Sequence, residues 1–234
     1  MKVRIKFSKY SSMIFIGHLD MMRYFQKAMR RAEIDISYSQ GFNPHQIMSF
    51  AAPLGVGIYS NGEYVDIQVE SATTSKDMMD ALNGVMAEGV EVLSVKKLPD
   101  DAKNAMASVA AASYTVRFRE GYEPSFDYRS AFEKFQAKKS IMITKQTKKS
   151  EKELDLAPSI YEMKLTEDGI YLMVDASSAG NIKPGLVMEA FYKENGAELG
   201  QFDLIITRED TYLEVSKNGK KEFCPLDAIG EEIE

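Results

Sequence analysis

An α+β fold with antiparallel sheets is what this sequence of 234 residues predicts. Three observations carry the prediction. Several short segments alternate apolar and polar residues, the period of a half-buried strand. Other segments repeat apolar residues every three or four positions, as an amphipathic helix does. The first half of the chain runs strand-helix-strand-strand-helix-strand, and the second half repeats that order.

The opening strand is residues 2–8, with Val3, Ile5 and Phe7 on one side and Lys2, Arg4 and Lys6 on the other. A helix follows over 18–33. Its expected core stripe is Leu19, Met22, Phe25, Met29 and Ala32, while Arg23, Lys27, Arg30 and Arg31 share another face. Asp20 falls in the first turn, where a negative charge suits the helix dipole. The segment 37–45 is a loop: Gly41 permits a positive φ and Pro44 holds Asn43 extended. Residues 46–53 read as a strand ending at Pro53, and Ser60-Asn61-Gly62 as a turn. Residues 64–70 alternate again, with Val65, Ile67 and Val69 inward. A second helix is expected over 75–88, with Ser75 as N-cap and Gly89 just past its end. Residues 90–96 close the unit as a strand.

That order is the ferredoxin-like βαββαβ pattern. In the second half, residues 114–119 alternate like the opening strand and 125–137 are helical. Residues 140–144 form a strand, and the charged run 145–152 reads as a hairpin tip or exposed edge. Residues 160–165 and 169–175 pair as a hairpin, 183–194 form a helix with Pro184 in its first turn, and 202–208 form a strand that 211–215 can extend. The sequence thus predicts two tandem ferredoxin-like units: 1–98, a linker at 99–112, and a looser second unit at 113–234 with one extra strand.

Charge is distributed unevenly. Residues 1–50 hold eight Lys/Arg against three acids, a local +5, on a chain whose net charge is −6. A basic patch on an acidic protein points to an anion-binding face. It argues against a general duplex binder, since those are usually basic overall. The solvation of one helix face accounts for the same charges. No run of about 18 apolar residues occurs, so no membrane span is expected. The N-terminus alternates and has no apolar core of the kind a signal peptide carries. Cys224 is the only cysteine, which excludes an internal disulfide, a cysteine-based zinc site and a cysteine-held iron–sulfur cluster. A reducing cytoplasm fits this usage. No phosphate-binding Walker loop, dinucleotide fingerprint, G-x-S-x-G or H-E-x-x-H is present.

Three groups of residues carry candidate chemistry. His18 and His45, the only histidines, flank the basic helix and its loop. They suit phosphate donation or acid–base work near neutral pH, and local capping explains them too. With Asp20 they have the residue types of a two-His, one-carboxylate metal site, which nothing in their spacing demands. Arg23, Arg30 and Arg31, with Lys27, suit phosphate recognition. The competing use is ion pairing with Glu63 and Asp66, which are three apart on a strand and so point to opposite faces. In Ser39-Gln40-Gly41-Phe42-Asn43, backbone N–H groups near Gly41 can form an anion nest and Ser39 and Asn43 can add contacts. Phe42 can stack on a base, but the expectation for it is burial in the core. Asp155 and Glu162 have no evident partner. Residues 181–184 begin a helix and suit an anion or simply a helix start.

The run from Gly17 to Ile67 contains H-L-D, R-x-x-R-R-A, S-x-G-F-N-P-H, P-L-x-x-G and G-E-Y-x-D in order. In this run the chain resembles a bacterial family called radical SAM-linked proteins, also known as the domain of unknown function DUF2344. The second half matches more weakly, through E-L-D-L-A-P-S-I and G-N-I-K-P. The resemblance implies a radical SAM partner: such domains occur fused to a B12-binding-type radical SAM protein or beside one as a separate chain. It further implies a role in RNA metabolism, with the radical cluster in the partner and no cofactor in this chain.

The expected function is a binding module, without catalysis of its own, that presents a structured or tRNA-like RNA to that partner. In this reading Arg23, Lys27, Arg30 and Arg31 hold phosphates, and His18, Asn43 and His45 line a pocket. One alternative is a metal-independent endoribonuclease, since CRISPR repeat-processing enzymes share a tandem ferredoxin-like fold with an early histidine, although the late glycine-rich loop of those enzymes is missing here. Another is a pure protein–protein adaptor.

Overall fold

Strand β1 (Lys2–Lys9) is the centre of the first of two units. It is followed by a 3-10 turn (Ser11–Phe15), α1 (His18–Arg31), β2 (Met48–Phe50), β3 (Tyr59–Gln68), α2 (Ser75–Asn83), β4 (Val90–Lys97) and the short α3 (Ala105–Ser108). This is a computed structural model, and it describes residues 1–146, 151–217 and 220–234. The fold is mixed α+β and its strand pairs are mostly antiparallel. Ile5 lies opposite Val65 of β3 on one side and Val95 of β4 on the other, and Phe50 of β2 lies opposite Val65. The strands therefore run β4-β1-β3, with β2 also against β3. Alternation explains the packing. Val3, Ile5 and Phe7 face the same side as Val65 and Ile67, where Met21, Phe25 and Met29 of α1 and Met78 and Leu82 of α2 cover them.

The second unit, Ala111–Thr207, holds β5 (Ala111–Phe118), α4 (Tyr128–Gln136), β6 (Met142–Gln146), β7 (Glu151–Asp155), β8 (Ile160–Thr166), β9 (Gly169–Asp175), α5 (Pro184–Glu194) and the start of β10 (Leu204–Lys217). The strand order is β10-β5-β9-β8, and β6 pairs with β7 as a separate hairpin. Of the charged run read at 145–152, residues 145–146 end β6 and 151–152 begin β7, while residues 147–150 lie outside the described residues. Phe132 and Phe135 of α4 and Val187, Met188 and Phe191 of α5 pack on Ile170, Leu172 and Val174.

Several expectations need correction. The chain does not divide at 98 and 112. Residues Arg208–Glu234 group with the first unit, so 113–234 is not one block. From Arg208 onward β10 lies beside β3, β11 (Lys220–Pro225) pairs with β10, and a last 3-10 turn (Leu226–Ile229) follows. This returning segment covers the second face of β1. Arg4, expected on a solvated side, is therefore 0% exposed. It donates from Nε to Asp66 Oδ1 (2.7 Å), from Nη2 to Asp66 Oδ2 (2.9 Å) and from Nη1 to the Leu226 carbonyl (2.6 Å). Beside it, Asp210 accepts from Lys6 (2.6 Å) and from the Tyr64 hydroxyl (2.7 Å). Burial and the Asp210 carboxylate push that hydroxyl far above the usual tyrosine range.

Helix limits also move. α2 stops at Asn83, not at 88, because the Asn83 side chain pairs with both backbone groups of Val92 (3.0 and 2.7 Å). Its N-cap is Thr74, whose side chain accepts from the Asp77 N–H at 3.1 Å. The buried stripe of α1 is Met21, Phe25, Ala28 and Met29, and Leu19 is 67% exposed. The strand read at 46–53 is only Met48–Phe50.

Candidate functional site

Helix α1 turns Met21, Phe25, Ala28 and Met29 to the core and leaves Arg23, Lys27, Arg30 and Arg31 on its other faces. Arg30 and Arg31 occupy the last turn, where positive charge complements the carbonyl end of the helix. Arg23 touches Asp20 at 3.1 Å, an exposed pair that contributes little. Lys27, Arg30 and Arg31 have no ion-pair partner among the described residues. The acids expected to compete for them are already taken: Asp66 by Arg4 and Glu63 by Arg208. Of the eight early cations, Arg4 and Lys9 are buried and Lys6 is held by Asp210, so the positive surface is narrower than the count of +5 implies.

After α1 the loop closes at a neck. Ser39 N–H donates to the His45 carbonyl (2.8 Å), the Ser39 hydroxyl meets His45 Nδ1 (2.8 Å), and His45 N–H donates to the same hydroxyl (3.1 Å). Gln46 then donates to the Gln26 carbonyl of α1 at 3.3 Å, which seats the neck on the helix. Gly41 has φ +116°, which glycine adopts without strain. Phe42 corrects the sequence reading. It is wholly exposed, because the closed neck projects the loop tip away from the core. Asn43 is exposed with it, and Tyr38 is about half exposed.

Below the neck, Ser37 Oγ and Gln46 Oε1 are buried without hydrogen-bond partners among the described residues. An unpaired buried hydroxyl is a net cost of roughly 1–3 kcal/mol. Ser37→Ala should therefore raise stability by about 1 kcal/mol, read as a higher denaturation midpoint at unchanged slope. A loss of stability would show that the hydroxyl is in fact bonded.

The two histidines occupy different places. His45 is exposed in the neck. His18 stands edge-on to Phe50, with ring centres 5.5 Å apart, and lines a small cavity of about 20 Å³. Lys9 and Glu63 line it too, with apolar walls that include Phe7, Met21 and Leu54. Neither Asn43 nor His45 nor any of the four helix cations does so. Glu63 accepts from Ser60 (2.7 Å) and from Arg208 (2.9 Å), and Arg208 also donates to the Ala52 carbonyl (3.2 Å). Lys9 donates to the Ile16 carbonyl (2.7 Å). Burial pushes the Lys9 ammonium below the ordinary lysine value; Glu63 opposes this and Arg208 adds to it. Sequence reasoning passed over Lys9 and read Glu63 only as an ion-pair partner for the helix arginines, although alternation points both inward. Lys9 is in phase with Val3, Ile5 and Phe7, and Glu63 with Val65 and Ile67.

A protein-family profile described as "Uncharacterized protein conserved in bacteria (DUF2344)" matches residues 2–184. The chain belongs to that family. No curated protein matches it.

Elsewhere in this DUF2344 chain the candidate acids have structural work. The Asp155 carboxylate accepts from the N–H groups of Ile141 (2.8 Å) and Ala157 (3.0 Å), bonds that hold it below the usual carboxylate range. Glu162 pairs with Lys164 at the surface (2.6 Å). α5 begins at Pro184, which lacks an N–H to offer an anion. A groove of about 500 Å³ runs between β6 and α5, crossed by the Lys138–Glu194 pair (2.5 Å). Among the described residues no helix is long and apolar enough to span a membrane, and no group of three metal-ligating side chains is assembled.

Proposed function

We propose that this chain is an RNA-binding module that presents a structured or tRNA-like RNA to a radical SAM partner. The single supporting observation is the surface formed by α1 and its loop. Phe42 stands fully in solvent in the loop that follows a helix whose Lys27, Arg30 and Arg31 have no ion-pair partner among the described residues. Exposed aromatic faces and free cations are the groups that hold unpaired bases and their phosphates. Arg23 adds a fourth cation, and Ser39, Gly41 and Asn43 shape the loop.

Both units are read as ferredoxin-like, supported by the parallel between the orders β4-β1-β3-β2 and β10-β5-β9-β8; β6 and β7 are then an insertion in the second. The family resemblance supplies the radical SAM partner. Phe15, Leu19 and Val56, all exposed on the first unit, give it apolar surface to dock on. The site of action in this reading is the cytoplasm, with Cys224 reduced.

RNA binding measured against salt tests the reading. Affinity should fall steeply with salt, and reversing Lys27, Arg30 and Arg31 to glutamate should lower the slope by roughly one for every phosphate no longer held. Phe42→Ala should weaken binding by about 1–3 kcal/mol without changing that slope. Salt-independent binding, or none, rejects the account in which these cations hold phosphates. Co-purification from cells, with protein and nucleic acid both analysed, tests the partner.

A further inference from the structure

We propose that the cavity beside His18 is an anion site, which takes one oxygen of a small oxyanion, a carboxylate or a phosphate, between the Lys9 ammonium and the His18 imidazole. Its residues are separate from the exposed cations of α1, so it stands apart from the RNA reading.

The cavity holds an excess of donors. Lys9 is only 3% exposed, yet it makes no ion pair among the described residues. An ammonium has three N–H donors, and the Ile16 carbonyl satisfies one. The other two have no partner among the described residues. The His18 ring likewise makes no hydrogen bond there. Glu63, the carboxylate on the cavity wall, is committed to Ser60 and Arg208 and makes no salt bridge to Lys9. Glu63 offsets only part of the cost of that buried charge and Arg208 adds to it, so a further group of negative charge is favoured beside the ammonium.

Size and walls define the ligand. About 20 Å³ is room for one water-sized atom, so a single ligand oxygen enters and the rest of the molecule stays at the mouth. Phe7, Met21, Phe50 and Leu54 line the cavity, and walls of this kind strengthen attraction to the ammonium by keeping the local dielectric low.

The chain has two histidines and hence two imidazole C2–H proton resonances. His18→Gln removes one and assigns the other. Titrating the unmodified protein with sodium acetate and, separately, inorganic phosphate at constant ionic strength should move the His18 resonance saturably with at least one of them. The two arms separate carboxylate from phosphate. Lys9→Met should weaken that binding at least tenfold with the amide spectrum preserved. His18→Gln, followed by calorimetry, should weaken it by a similar factor, which keeps the proposal exposed even if Lys9→Met does not fold. No saturable shift with either anion, or an equal response in folded Lys9→Met protein, means the cavity holds water only and overturns the proposal. Loss of RNA binding in the glutamate variants of α1 leaves this titration unchanged.

Discussion

Replacing Asp66 with alanine should cost about 3–5 kcal/mol of stability, the largest single-site effect expected in this protein. Arg4 is 0% exposed, and Asp66 supplies two of its hydrogen bonds, at 2.7 and 2.9 Å. The Leu226 carbonyl, at 2.6 Å, is an acceptor without formal charge. Removing Asp66 leaves a buried guanidinium with no ion-pair partner among the described residues. The pair itself need not be strongly stabilising, because burying both charges has its own desolvation cost. The decisive comparison is therefore the double replacement Arg4→Met with Asp66→Leu, which should recover most of the loss. The chain has no tryptophan, so circular dichroism in denaturant is a suitable readout. A loss below about 1 kcal/mol for Asp66→Ala would mean that water reaches Arg4.

Gly62→Ala should cost about 3 kcal/mol, at the upper end of the range for overpacking. A methyl placed there would sit 2.6 Å from Asp210 Cα and 2.9 Å from the Glu209 carbonyl oxygen. Both belong to the backbone of β10, so no side-chain rotation relieves the clash. The Thr211 hydroxyl, which donates to the Gly62 carbonyl at 3.1 Å, would be displaced as well. Gly185→Ala is the control: its methyl meets nothing within 4 Å, and the substitution should be neutral or slightly stabilising. Equal melting temperatures for the two variants would refute the close approach of β3 and β10.

The local grammar of the chain was legible from its residues. Val3, Ile5 and Phe7 face the core as their alternation requires, and so do Val65 and Ile67. Arg4 shows where such reading stops. Its position on the strand says only that it faces away from Val3. What lies on that side is decided by Leu226, 222 residues later, and no local pattern carries that information. Leu19 was misassigned because stripes through 19, 22, 25 and 29 and through 21, 25, 28 and 29 share Phe25 and Met29. Packing chose the second. Phe42 was assigned to the core on the habit of aromatic residues, while the closure that holds it outside depends on the Ser39 hydroxyl meeting His45 six residues later, a pairing that no periodicity announces. Lys9 and Glu63 were the reverse case: the signal was present in their phase, and charge drew attention away from it.

The return of Arg208–Glu234 to the first unit has a consequence for biosynthesis. Translation delivers Met1–Ala110 early, but that stretch lacks the carbonyl of Leu226 over Arg4 and the carboxylate of Asp210 beside Lys6 and Tyr64. The intervening Ala111–Thr207 is complete sooner than the unit that began first. Nascent chains thus emerge with Met1–Ala110 waiting on a segment made only after Ala111–Thr207, and synthesis that stops at Thr207 leaves Arg4 and Lys6 without part of their shelter.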